Sequence, residues 1–376
     1  MQPWRKTCFM FGRNSDIAQE QPQNTRREIL KLLAILAVGK LFVLLCTFLY
    51  HHSSNFLYTM STTWDNTYYQ SIATTGYTRV IQYVFSPIYP GMIETLDIVI
   101  PRAWISALII TNIISFVFPL VVYKTFGYKT ALIAILFPTY LVFTTIPYSD
   151  VVPLIFFALS VFFLLKEKMI ESSIVTGLAV LSAFHAVWML PAYAVDTLKT
   201  KRFRNLIFYA VPVAAGILVL LWFKLKTDNY MAYFSLETEG WREHFGTPFS
   251  QAKWLINGWF TNESWKIFGM RLAPAYWLVR NLIFEIFYLA GAVLILKTQN
   301  KHRMFLFVYS LCAIIPLLFV TGTPAISIPR LLLPAFPVFF GYTAWMKKDW
   351  HYWAYCGVCL LITAWIAITQ TYCFFA

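Results

Sequence analysis

The stretch Trp64-Asp65-Asn66-Thr67-Tyr68-Tyr69 sets a carboxylate among aromatic rings, directly after the first long apolar run and in a region too polar to cross a bilayer. A second acid, Asp150, follows Pro147-Tyr148-Ser149 at another junction between apolar runs. A carboxylate at an apolar interface holds its proton more tightly than in water and can serve as a general base on a hydroxyl nucleophile. A phosphate leaving group asks instead for cationic donors, and Arg79, Arg102 and Arg330 flank apolar runs where such donors are needed. Base and arginine together suffice to move a sugar from a lipid phosphate to a hydroxyl. The plainer reading of Asp65 is a helix-capping aspartate inside an aromatic interfacial belt. Convergence of both acids and an arginine on one cleft separates the two.

The elements that must hold these residues are apolar helices. Of 376 residues, 59% are hydrophobic, 19% aromatic and only 12% charged, too little polar surface to cover a soluble fold. The class is an all-α polytopic membrane protein. A formal charge of +13 does not argue for nucleic acid, because the basic residues sit in short clusters between apolar runs, as cytoplasmic loops do. Membrane lipids are the expected surroundings.

Residues 1–28 read as a cytoplasmic tail rather than a cleaved leader, and residues 29–376 as a transmembrane domain. Arg26, Arg27 and Lys31 hold the start of the first span, Ile29 to Tyr50, inside, so Asp65 faces outward in an outer loop covering 51–103. Trp104 to Tyr123 returns to Lys124 and Lys129, Ala131 to Ile146 goes out, and Val151 to Leu165 comes back to Lys166 and Lys168. A single helix over Ser173 to Val195 would then strand Lys199, Lys201, Arg202 and Arg204 outside, against the rule. Two short helices, Ser173 to Ala183 and Ala186 to Val195, turning near His185 on the outer side, remove the conflict. Non-helical backbone at that depth must be buried in protein or line a wet cavity.

Asn205 to Leu225 goes out to a second large outer loop, 226–274. Ala275 to Leu296, Phe305 to Val320, Leu331 to Trp345 and Tyr352 to Thr371 complete about eleven crossings, several shorter than the roughly 20 residues of a full span. Roughly two-thirds of the Lys and Arg residues fall inside on this layout, as expected.

Trp64-Asp65 with its aromatics, then Ile72-Ala73, Gly76-Tyr77 and Phe85-Ser86-Pro87-Ile88-Tyr89-Pro90, resembles the first outer loop of GT-C glycosyltransferases of the PIG-V type. Tyr148-Ser149-Asp150 resembles that family's Tyr-Ser-Glu element, with Asp for Glu. Ile328-Pro329-Arg330-Leu331-Leu332-Leu333-Pro334 and Phe336-Pro337 resemble its late Arg-aliphatic-Phe-Pro segment, and Trp241 to Pro248 is more loosely similar to its Trp-and-Pro outer loop. At the hairpin, where members often carry Arg and Gly, this chain has Phe184-His185-Ala186-Val187.

The resemblance implies a GT-C-like bundle and an inverting transfer of a sugar, mannose first, from a polyprenyl (dolichyl) phosphate carrier. The acceptor is a hydroxyl of a lipid-linked or protein-linked glycan. Asp65 maps to the base or acceptor organiser, Asp150 to the second acid and Arg330 to the phosphate-side cation. Trp64, Asn66, Tyr68, Tyr69, Tyr148 and His185 join Arg330 as expected substrate contacts. No cluster of His and carboxylate ligands is visible, so neither a divalent metal nor another cofactor is implied. The short chain suits a prokaryotic plasma membrane better than the endoplasmic reticulum.

Other features carry less. Cys356 and Cys359 have the spacing of a metal or redox pair but lie inside a span, where helix packing explains them. His185 is a substrate contact or a satisfied buried histidine. Glu285 is an intramembrane acid with Arg280 five positions before it, read as a structural anchor. Glu237, Glu239 and Glu243 read as a solvated face, and Trp241, Trp254, Trp259 and Trp265 as sugar-stacking or interfacial rings. Asn262-Glu263-Ser264 fits a glycosylation acceptor. The rival class is a lipid or solute transporter, which would place binding residues at the midplane and show two similar halves. Neither feature is visible here.

Overall fold

The computed structural model describes residues 22–51, 55–247, 250, 252–253, 256–257, 265–267, 270–272, 274–322 and 327–369. Cys8, most of the expected N-terminal tail, Trp254, Trp259, Asn262-Glu263-Ser264 and Cys373 lie outside them.

Helix α1 (Pro22–His51) opens the bundle. Between it and the next long helices lie three short ones, in the segment expected to be the first outer loop: α2 (Phe56–Ser61), α3 (Asp65–Thr75) and α4 (Ile88–Asp97). Then α5 (Ala103–Ser115) and α6 (Val117–Phe126) run on as one apolar segment. Among the described residues, five helical segments are long and apolar enough to cross a bilayer, and three shorter apolar helices add to them, all within a multi-pass membrane protein.

The expected single crossing from Ala131 to Ile146 is instead two helices, α7 (Tyr128–Ile135) and α8 (Pro138–Thr145), bent by 66°. Proline explains the break. Its ring clashes with helical backbone at the preceding residue, so Phe137 is extended, and Pro138 then starts α8 where no N–H is needed. Helix α9 (Val151–Leu165) matches its expected span, and α10 (Met169–Ser182) ends at Ala183. A 3-10 turn over Phe184–Met189 leads into α11 (Leu190–Thr200), so the expected interruption at His185 is present.

Beyond it come a 3-10 turn (Phe203–Tyr209), α12 (Ala210–Thr227) and α13 (Ala232–Trp241), then α14 (Pro274–Leu296) and α15 (Arg303–Leu318). Leu331 to Trp345 is likewise broken rather than one span: α16 (Ile328–Leu331), a 3-10 turn (Leu333–Ala335) and α17 (Val338–Trp345) divide at Pro334 and Pro337. Helix α18 (Asp349–Thr369) packs against α1 and α8.

Polar ties join the helices inside an apolar surround. Lys40 on α1 is buried, and its Nζ donates to Asn112 Oδ1 at 3.1 Å, to Thr144 Oγ1 at 3.2 Å and to the Thr144 carbonyl. Ser160 on α9 meets Thr176 on α10 at 2.6 Å and the hydroxyl of Tyr193 on α11. Gly341 lets α17 approach α14 closely: a Cβ there would fall 2.3 Å from the Gly291 carbonyl oxygen. Outward, α1, α12 and α18 expose apolar side chains such as Leu41, Ile217 and Leu361, the face a lipid-embedded helix presents.

Candidate active site

Trp64 adopts φ 57°, a strained conformation for a residue with a Cβ that costs about 1–3 kcal/mol. It turns the chain so that Asp65 becomes the first residue of α3, with its carboxylate at the positive end of the helix dipole. Thr67 Oγ1 donates to the Trp64 carbonyl at 2.8 Å and braces the corner. Asp150 stands just before α9, and Ser149 beside it donates to the Tyr69 hydroxyl at 2.7 Å, joining the Tyr-Ser-Asp element to α3.

Arg330, on the single turn of α16, completes the cluster. Its Nη1 lies 3.4 Å from Asp65 Oδ2 and 3.5 Å from Asp150 Oδ2, so one guanidinium nitrogen bridges both acids. The guanidinium rests over the rings of Tyr148, at 4.8 Å, and Phe143, at 5.7 Å, which fix its plane. Tight charge-assisted bonds are nearer ~2.8 Å, so neither carboxylate locks the arginine against a ligand. Burial raises the proton affinity of Asp65, Arg330 opposes that rise, and the charge of Asp150 adds to it.

Two chambers of about 180 and 340 Å3 meet at this cluster and share Asp65, Phe85, Phe184, His185, Tyr233, Glu237 and Arg330 as a common wall. Asp150 and Tyr69 face the larger one. The structure thus brings Asp65, Asp150, Arg330, Tyr69 and His185 together. Trp64, Tyr68 and Tyr148 stand behind the lining: Tyr68 stacks on Phe85 at 5.1 Å, and Tyr148 is fully buried beneath Arg330. Asn66 departs from expectation. It is fully buried, lines neither chamber and donates to the Met60 carbonyl at 3.4 Å, bracing the α2–α3 corner. Arg79 and Arg102 are exposed and line neither chamber.

Glu237 and Glu243 overturn the solvated-face reading, which holds only for Glu239. Both are partly buried and line the smaller chamber. Burial raises the Glu237 carboxyl well above the ordinary range, and the nearby charges of Glu243 and Asp65 add to it; burial raises Glu243 too. The cue was available, since acids among Tyr233, Phe234 and Trp241 repeat the pattern that singled out Asp65. Their place depends on a strap: while β2 (Trp265–Ile267) and β3 (Met270–Leu272) pair with each other, β1 (His244–Phe245) pairs antiparallel with β4 (Val320–Thr321), which precedes Arg330 in the chain. Gly322 seals it with φ 88°, where a Cβ would sit 2.1 Å from the Arg242 carbonyl oxygen.

Cys356 and Cys359 are free thiols within α18, and Cys359 is buried. Glu285 and Arg280 are buried in α14, Arg280 donating to Asn281 Oδ1 at 2.8 Å.

No family model matches the chain, and no curated protein matches it. Among solved structures it is similar to ArnT from Cupriavidus metallidurans bound to undecaprenyl phosphate, with a TM-score of 0.54 at 12% identity over 89% of this chain. The apo state of the same protein gives 0.54 at 11% identity. The chain has the GT-C membrane fold. It spans 63% of the ArnT chain in the lipid-bound structure and 62% in the apo state. Within the GT-C fold, the three short helices between α1 and α5 supply the first acid, and the broken segments after α8 and α15 supply the second acid and the arginine.

Proposed function

We propose that this protein is a membrane glycosyltransferase that moves a sugar, mannose as first candidate, from a polyprenyl phosphate carrier to a hydroxyl of a lipid-linked or protein-linked glycan at the outer membrane face. The observation that carries the reading is the junction of Asp65, Arg330 and Asp150, from widely separated parts of the chain, at the meeting point of two chambers in a GT-C fold. The ArnT structure of the same fold holds undecaprenyl phosphate, which supports a carrier of that chemistry.

In this reading the acceptor hydroxyl gives its proton to Asp65 as its oxygen attacks the anomeric carbon. The bond from that carbon to the phosphate oxygen breaks on the opposite face, so the configuration inverts. The departing electrons settle on the carrier phosphate, where Arg330 stabilises them. Asp150 and the rings of Tyr148 and Phe143 hold the guanidinium in place. With Arg330 as the phosphate-side cation, transfer proceeds without added divalent metal, and a chelator leaves the rate unchanged. The basic clusters favour a cytoplasmic N-terminus, and a prokaryotic plasma membrane is the proposed location.

The test is transfer of radiolabelled sugar from polyprenyl-phosphate donors, dolichyl-phosphate mannose first, to a panel of lipid-linked glycans, comparing the unaltered protein with Asp65→Asn. Label reaching an acceptor, and its loss in a folded Asn variant, supports both enzyme and base. Equal transfer by both removes Asp65 as the base. Transfer from no donor to any acceptor removes the enzyme reading.

A further inference from the structure

The end of the bundle away from Arg330 carries a separate polar cavity of about 190 Å3. Three turns close it. Glu167 comes from the turn between α9 and α10, Asp196, Arg202 and Asn205 from α11 and the turn after it, and Lys301 and His302 from the turn between α14 and α15. The full length of α9 separates the cavity from Asp150.

Its wall holds an unsatisfied imidazole. The His302 and Asp196 side chains are only 10% and 11% exposed, with Nδ1 of the ring 3.3 Å from Oδ1 of the acid. An ionised carboxylate only accepts, so Nδ1 carries a proton. On the other side of the ring, Nε2 is buried and meets no hydrogen-bond partner among the described residues. A water would satisfy that atom alone, whereas the wall around it asks for an anion. Arg202 Nη1 donates to Glu167 Oε2 at 3.0 Å and Lys301 Nζ donates to Oε1 at 2.8 Å. One carboxylate thus holds two cations at the cavity, and each keeps further N–H groups for a ligand. His302 and Met169 also mark the starts of α15 and α10, where the helix dipole favours negative charge. Both acids of the wall are already answered, and the surplus around them is basic: residues 164–171, 196–205 and 296–303 contain nine Lys and Arg against three Asp and Glu. Exposed apolar side chains, Ile170, Leu198, Phe203 and Ile207, stand on the same turns and helix ends. Basic groups beside apolar surface belong at the headgroup level of a bilayer, where pockets between helices take lipid phosphate. A cavity of this size admits a headgroup and not a peptide helix.

We propose that this cavity binds the phosphate of an anionic phospholipid. The phosphate accepts from Arg202, Lys301, Asn205 and a protonated His302 whose other nitrogen stays on Asp196, while the acyl chains lie along Ile170 and Phe203. Bound in this way, the lipid ties together α9, α11 and α15, whose other ends lead to Asp150, His185 and Arg330. The site stands whether or not the sugar-transfer reading does.

The test uses the full-length protein in a neutral detergent with phosphatidylglycerol labelled on its acyl chain as the fluorescent probe. Binding should saturate at one site, and unlabelled phosphatidylglycerol should displace the probe at least about tenfold better than phosphatidylcholine or inorganic phosphate. Arg202→Gln and His302→Gln should each weaken binding about tenfold, the effect of losing a hydrogen bond to a charged group. Lys199→Gln removes the same charge as Arg202→Gln but lies outside the cavity wall, and should weaken binding less than about threefold. Equal losses from Arg202→Gln and Lys199→Gln would mean diffuse attraction to a basic surface and overturn the site. Displacement by inorganic phosphate as readily as by phosphatidylglycerol would overturn the lipid assignment in favour of a soluble phosphate. Uptake that does not saturate, or no preference between the two lipids, overturns the proposal in the unaltered protein alone, so a misfolded variant does not shield it.

Discussion

At the residue scale, Asp65 is a better base in this cavity than in water, because burial makes its ionised form costly and Arg330 only partly offsets that. A base must be ionised to work. The acid limb of the pH–rate profile should therefore lie above the ordinary carboxylate range of about 4, with activity falling as pH drops through it. Asp65→Asn should lose that limb together with about 10²–10⁴-fold of the rate. Arg330→Lys keeps a charge but not the planar guanidinium that lies on Tyr148 while one of its nitrogens meets both carboxylates. A loss of about 10²–10³-fold in rate is expected in a donor-saturated assay. The aromatic neighbours of Asp65 were read as substrate contacts because residue type does not reveal which way a ring faces. Tyr69 reaches the cavity, whereas Tyr68 spends its face on Phe85.

At the scale of elements, breaks matter more than spans. The interruptions before α8 and within the α16–α17 segment follow from prolines, and the one at His185 from a charge conflict that an unbroken helix could not resolve. The breaks at His185 and at Arg330 to Pro337 carry cavity residues, since backbone that leaves the helix in a membrane must be sheltered by protein. The β1–β4 strap had no legible signal, being two residues paired with two others far along the chain. Gly322→Ala tests it. A side chain at φ 88° costs about 1–2 kcal/mol, and its contact with Arg242 would push the strap outward. Sugar transfer should slow, while the melting temperature of the helical bundle changes little.

At the scale of the molecule, the site and the basic clusters occupy opposite ends of the same helices. Asp150 precedes α9 and Lys166 follows it, a separation of about 22 Å for a helix of that length. His185 precedes α11 and Lys199 lies in its last turn; Arg330 precedes α17 and Lys347 follows it. An impermeant thiol reagent added to intact cells should label a cysteine at the exposed Glu94 and spare one at Lys199. Labelling in the reverse pattern would invert the topology. The bundle is also held through buried Lys40, which links α1 to α5 and α8. Lys40→Met leaves the Asn112 and Thr144 oxygens without that donor and should cost about 1–3 kcal/mol, read as a lower melting temperature in detergent.

The membrane class and several of the helices were legible in the chain itself. The breaks at Pro138, Pro334 and Pro337 read as continuous spans, and the pairing of Asp65 with Arg330 was legible through a family resemblance. Hydropathy, charge asymmetry and proline act locally and leave local marks. Only the tertiary structure decided that Asn66 braces a corner, that Arg79 and Arg102 stay away from the cavity, and that Glu237 and Glu243 line it. A side chain's direction and its burial depend on what distant segments bring beside it. Here the return of β4 against β1 turns glutamates that read as solvated into a cavity wall.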